Sequence, residues 1–176
     1  MNRLSIMIGD ITQSDSTAIV NATDTDMLGM SGVDGEIHRA AGPAMDAECR
    51  SLYRCQTGEA KLTAGYNLRA RYVLHTVGPV WQGGYLGEAN LLASCYHDCL
   101  RLAEERKINS VDFTPISVGL YRYPLGQAAN IAVKSILKFL AANQIPEKVR
   151  IVCRDAEVAE AFQSALYTEY LNIQSL

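Results

Sequence analysis

The run Gly29-Met30-Ser31-Gly32-Val33-Asp34-Gly35-Glu36-Ile37-His38-Arg39-Ala40-Ala41-Gly42-Pro43 sets flexible backbone directly before an amphipathic helix start. Glycines let main-chain N–H groups approach a ligand closely. The first turn of a helix adds unpaired N–H groups and a partial positive charge that favour phosphate. Asp34 places a carboxylate inside this anion-binding stretch, where it opposes a negative ligand. Chemistry is one reason to keep such a group there, and complementing the helix dipole is the other.

Three further segments could share a cleft with it: Gly9-Asp10-Ile11-Thr12, Asn21-Ala22-Thr23-Asp24 and Ser117-Val118-Gly119-Leu120-Tyr121-Arg122-Tyr123-Pro124. Each has an ordinary structural alternative. Asp10 suits a turn or cap, Asn21 suits a tie between a strand end and a neighbouring loop, and Tyr121 suits a surface aromatic packed under its loop.

The elements that must position these segments follow from periodicity. Short β-branched runs bounded by Gly, Pro, Asp or Asn predict strands over 3–8, 17–21, 72–77, 111–116 and 148–153, with a further short one over 59–63. Helical patterns cover 34–52, 88–106, 125–142 and 156–170. Asp155 is placed to cap the last helix, and Pro124 suits the opening of the one before it. The alternation of strand and helix predicts an α/β fold, a mixed or mostly parallel sheet with helices on both faces. Ligands of such sheets collect at the carboxyl ends of strands, where the loops at 21–35, 117–124 and 153–155 fall.

At 176 residues the chain fits one domain, large enough to bury about 70% of its unfolded surface. Its 48% hydrophobic and 20% charged content is that of an ordinary globular protein. A formal charge of −3 argues against unspecific nucleic-acid binding. The N-terminal apolar stretch is interrupted by Asp10 too early for a secretory segment, and no run is long enough to cross a bilayer. Cys49, Cys55, Cys95, Cys99 and Cys153 form an odd set without metal-site spacing, which predicts a reducing, cytoplasmic setting. Cys95 and Cys99 read as core residues of one helical face. Trp81 to Tyr85 reads as a flexible aromatic loop that serves a partner or covers the sheet edge.

Taken together, the blocks Gly9-Asp10-Ile11-Thr12, Val20-Asn21-Ala22, Gly32-Val33-Asp34-Gly35, Ile37 to Pro43 and His75-Thr76-Val77-Gly78-Pro79-Val80-Trp81 resemble the macrodomain family. They are most like the bacterial branch that hydrolyses O-acetyl-ADP-ribose and ADP-ribosyl esters. The resemblance implies a three-layer α/β/α fold whose cleft binds ADP-ribose or O-acetyl-ADP-ribose, free or on a modified protein. It implies no metal or redox cofactor. It gives Asp10, followed by Ile11, the role of reading adenine through the exocyclic amino group. It puts Asn21 and Asp24 at the distal ribose and makes Asp34 the acid that positions or activates water there. Gly32 and Val33 on one side, and Ser117, Val118, Gly119, Leu120, Tyr121 and Arg122 on the other, become the two halves of a diphosphate clamp, with Tyr121 against the distal ribose. His38 and His75 fall in blocks where histidine is usually structural.

The match breaks at particular residues. The family's Asn-Ala-Ala-Asn is Asn21-Ala22-Thr23-Asp24, its four glycines are Gly29-Met30-Ser31-Gly32, and its second loop carries Val118 and Arg122 in place of threonine and glycine. Arg154 stands where an aromatic commonly stacks on adenine, and a guanidinium can also stack on a base. An ion pair between Asp24 and Arg122, gating the distal pocket, is expected. Three functions remain open: an ADP-ribosyl ester hydrolase, a non-catalytic ADP-ribose-binding module, and a regulatory protein that binds protein or RNA.

Overall fold

A computed structural model describes residues 2–176; Met1 lies outside the described residues. Six strands form one sheet: β1 (Leu4–Ile8), β2 (Ala18–Ala22), β3 (Ala60–Ala64), β4 (Tyr72–Thr76), β5 (Ser110–Phe113) and β6 (Lys148–Cys153). Their spatial order is β1-β6-β5-β2-β4-β3. Only β3 runs antiparallel to its neighbour, so the sheet is mixed and mostly parallel, as the alternating pattern predicts.

Five α-helices accompany it: α1 (Gly32–Ala41), α2 (Pro43–Ser51), α3 (Glu88–Glu105), α4 (Leu125–Ala142) and α5 (Ala156–Gln174). Successive strand residues face opposite sides, and the two core clusters divide accordingly. Val20 and Leu74 pack with Leu92, Ile136 and Phe162 of α3, α4 and α5. Ile19 and Val73 pack with Ile37 and Met45 of α1 and α2. The result is a three-layer α/β/α arrangement.

The expected helix over 34–52 is two helices. Gly42 adopts φ 93 while its N–H bonds back to the His38 carbonyl, and Pro43 opens α2. A left-handed glycine terminates one helix, and a proline without an N–H starts the next. The strand expected to reach residue 116 stops at Phe113, because Pro115 cannot donate to a ladder. Asp155 does cap α5, accepting from the Val158 N–H at 3.0 Å. Among the described residues, no helix is long and apolar enough to cross a membrane.

Candidate functional site: a cleft along the carboxyl ends of the strands

A cleft of about 470 Å³ opens where the parallel strands end. Strand order fixes its layout. Arg154 follows β6, Thr114 and Pro115 follow β5, Ala22 ends β2 with Thr23 and Asp24 after it, and Gly78 follows β4. Asp10 and Ile11, after β1, stand beyond Arg154. Four strand steps separate β1 from β4, about 19 Å at the usual spacing. An extended dinucleotide-like ligand fits that span.

One wall is the start of α1. Gly29 and Gly32 adopt φ 70 and φ 60, conformations that favour glycine. Ser31 between them is extended at φ −157 and ψ 166, which any residue accepts. The two positions that need glycine have therefore kept it, and Met30 and Ser31 occupy ordinary backbone. A Cβ on Gly29 would fall 2.3 Å from the His38 ring, so this glycine seats the histidine. Met30 is 74% exposed at the cleft mouth. The opposite wall is the loop after β5, where Ser117 has φ 67 and donates through Oγ to the Pro79 carbonyl at 2.8 Å. The Trp81 N–H donates to the Tyr121 carbonyl at 2.8 Å, which ties this wall to the next loop. A Cβ on Gly32 or Gly119 would meet no atom within 4 Å, so both walls leave room between them.

The loop at Trp81 is pinned rather than flexible. The Glu88 carboxylate accepts from the N–H groups of Gln82, Gly84 and Leu86. Burial pushes Glu88 up, but these bonds outweigh it and hold the group at about 2. Trp81 packs on Tyr123 at 4.7 Å between ring centres.

Asp34 is the buried acid of the cleft, 9% exposed. Its Oδ1 accepts from Asn21 Nδ2 at 2.7 Å and its Oδ2 from Thr23 Oγ1 at 2.9 Å. Behind it, His38 Nε2 lies 3.4 Å from Asp34 Oδ1, while Nδ1 meets Asp46 at 2.6 Å. Burial pushes the His38 imidazole down, yet the hydrogen bonds and charges of Asp34 and Asp46 raise it overall. Asn21 also donates to His75 Nδ1 at 3.2 Å, and His75 Nε2 lies 2.9 Å from Thr63 Oγ1. Accepting at Nδ1 makes His75 a neutral ring with its proton on Nε2. Burial lowers it to about 3. Asn21, His75 and Thr63 meet because register aligns Asn21 with His75, and alternation turns all three to the α1 and α2 face.

His38, Cys49 and His75 hold their donor atoms within 4.8 Å of one another. Their chemistry suits hydrogen bonding better than a cation. His75 Nε2 is engaged by Thr63, and burial pushes the Cys49 thiol up to about 12, away from the thiolate that a metal takes.

Of the residues expected from sequence, the cleft wall includes Asp24, Gly32, Val33, Asp34, Ser117, Gly119, Leu120, Tyr121 and Arg154. Asn21 is wholly buried behind Asp34, where it ties β2 to α1. Val118 is half-buried and Arg122 is exposed beside the wall. Asp10 caps a short 3-10 turn (Ile11–Gln13) by accepting from the Thr12 N–H and hydroxyl. These bonds, and more weakly Arg154, lower its pKa. Ile11 is buried beneath. The expected Asp24–Arg122 ion pair does not form among the described residues. Asp24 Oδ1 instead accepts from the N–H groups of Asp26 and Met27, both at 3.0 Å. Arg154 pairs with Glu36.

Thr114, Pro115 and Gly78 complete the wall without having been singled out for it. Position at a strand's carboxyl end was their available signal. His38 and Asp46 carried a weaker one, since Asp34 and His38 stand four apart on one helix face.

The layout is that of a nucleotide-binding α/β protein with a buried acid at one end. Residues 20–132 match the model of the Macro domain, and the chain belongs to that family. It is 51% identical to a Macro domain-containing protein of Methanosarcina mazei, over 94% of this chain and 89% of that one. It is 46% identical to the O-acetyl-ADP-ribose deacetylase of Salmonella typhimurium, over 94% of each. The Oceanobacillus iheyensis macrodomain with ADP superposes with TM-score 0.89 at 37% identity, covering 96% of this chain and 90% of that one. The Trypanosoma brucei macrodomain in complex with ADP-ribose superposes with TM-score 0.87 at 39% identity, covering 93% and 69%.

Proposed function

We propose that the cleft binds ADP-ribose and hydrolyses an ester on its distal ribose, from O-acetyl-ADP-ribose or from an ADP-ribosylated protein. The observation that carries this reading is Asp34, a buried carboxylate held by Asn21 on Oδ1 and Thr23 on Oδ2 with His38 behind it, on the cleft wall beside the open N–H groups of α1. Deacetylase and ADP-ribose-bound relatives support it. The adenine lies toward Asp10 and Arg154, where a guanidinium can stack on the base. The diphosphate lies between the first turn of α1 and the Ser117–Tyr121 loop, and the distal ribose lies toward Asp34 and Tyr121.

Each carboxylate oxygen has more than one acceptor direction, so Asp34 can hold a water while bound to Asn21 and Thr23. Water adds to the acyl carbon and its proton passes to Asp34. The ester C–O bond breaks, releasing the carboxylic acid and returning a proton to the ribose oxygen. A cytoplasmic setting belongs to the same reading, since all five cysteines are free thiols.

Calorimetry with ADP-ribose and turnover of O-acetyl-ADP-ribose test the proposal together. Asp34→Ala is expected to retain binding and lose at least about a hundredfold in turnover, the lower range for a general base. Unchanged turnover removes Asp34 from the chemistry. Binding without turnover in the wild type makes the chain a reader of ADP-ribose, and absence of binding removes both nucleotide readings.

A further inference from the structure

Asp24 ends the β2 segment of the cleft and is held there. Its Oδ1 accepts from the N–H groups of Asp26 and Met27, so the side chain is the fixed cap of a turn. Asp24, Asp34 and Tyr121 line the same cleft. Burial raises the Tyr121 phenol, and the negative charges of Asp24 and Asp34 raise it further. Two of the neighbouring cations are already engaged by other acids or by Asp34 itself. Arg154 stands two strands away, after β6, and pairs with Glu36. His38 lies behind Asp34, between it and Asp46. Arg122 forms no ion pair with either acid among the described residues.

We infer that Asp24 is a specificity-determining residue. With Asp34 it makes the distal end of the cleft reject anionic acyl groups and favour ADP-ribose esters whose acyl group carries a positive charge, such as aminoacyl esters. The inference rests on the proposed placement of the distal ribose at Asp34. A unit charge about 8 Å from a fixed carboxylate changes affinity on the order of tenfold once salt screening is allowed for. An acyl group on the distal ribose lies within such reach of Asp24, since both border the same end of the cleft.

The test uses three ADP-ribose analogues with a non-hydrolysable amide at the distal ribose: β-alanyl (cationic), acetyl (neutral) and succinyl (anionic). Their dissociation constants are measured by calorimetry at low and high salt, for the wild type and Asp24→Asn. Asparagine keeps the oxygen that caps the turn, and a melting curve checks that the variant is folded. The expected order of affinity is β-alanyl, acetyl, succinyl. Steps of about tenfold at low salt shrink at high salt and collapse to about threefold or less in Asp24→Asn. Equal affinities in the wild type, or an unchanged spread in the variant, overturn the inference. Turnover of the acetyl ester is scored separately. Turnover with flat affinities keeps the hydrolase and refutes the role of Asp24. Ranked affinities without turnover do the reverse, and failure to bind the acetyl analogue removes both.

Discussion

Replacing Asn21 by leucine removes two buried hydrogen bonds at once, with little change in volume. The amide nitrogen donates to Asp34 Oδ1 at 2.7 Å and to His75 Nδ1 at 3.2 Å. A bond to a charged group contributes about 1.5–3 kcal/mol, and a buried acceptor left without a donor costs about 1–3 kcal/mol. Part of that loss is returned, because Asn21 Oδ1 is itself buried without a partner and the substitution removes it. The net cost is roughly 2–4 kcal/mol, equivalent to a fall in Tm of roughly 4–16 °C for a chain of this size. Thermal unfolding followed by circular dichroism reads the first effect. Turnover of O-acetyl-ADP-ribose reads the second, expected to fall at least about tenfold as Asp34 loses the donor that orients it. A variant melting within about 2 °C of the wild type, with full turnover, refutes the idea that Asn21 holds Asp34 in place.

Two further outcomes follow from buried charge. His75 is held at about 3 against an ordinary 6.5, so between those values the unfolded chain takes up a proton that the folded chain refuses. Stability therefore falls as pH drops from about 6.5 toward 3, by on the order of 4 kcal/mol from this group. Urea midpoints across that window should show a shallower slope in His75→Gln, and an equal slope contradicts the assignment. On β5, Asp112 accepts from Ser14, Ser16 and Arg150 while 1% exposed. Asp112→Ala leaves Arg150 with the exposed Asp15 and with Ser16 alone and should cost about 3 kcal/mol, the lower end for breaking a buried pair. Turnover per folded molecule should be unaltered, so a variant of wild-type stability in chemical denaturation would show the network to be idle.

Periodicity made every strand and the last three helices legible, because a buried face repeats every second or every third to fourth residue. It misjudged the first helical stretch, where Gly42-Pro43 inside an otherwise helical pattern marked the break. The glycines of the cleft were legible as an anion-binding start, and the backbone explains why Met30 and Ser31 are tolerated there. Between residues 29 and 32, Gly29 and Gly32 carry the left-handed turns. Charge complementarity across the cleft was not legible. Asp24 and Arg122 looked like partners from their loops, but the turn at Asp26 and Met27 claims Asp24 first, through local N–H groups that need no distant side chain.

By itself, then, the sequence determined the alternating elements, the phosphate-favouring helix start and the presence of Asp34 within it, since these depend on residues near one another in the chain. Tertiary structure alone decided what surrounds that acid. Asn21 and His75 are 54 residues apart and meet only through the register of β2 on β4. His38 and Asp46 reach each other only because the chain folds back at Gly42. Register and helix packing are set by the sum of many buried contacts across the sheet, so no local pattern encodes which donors hold Asp34.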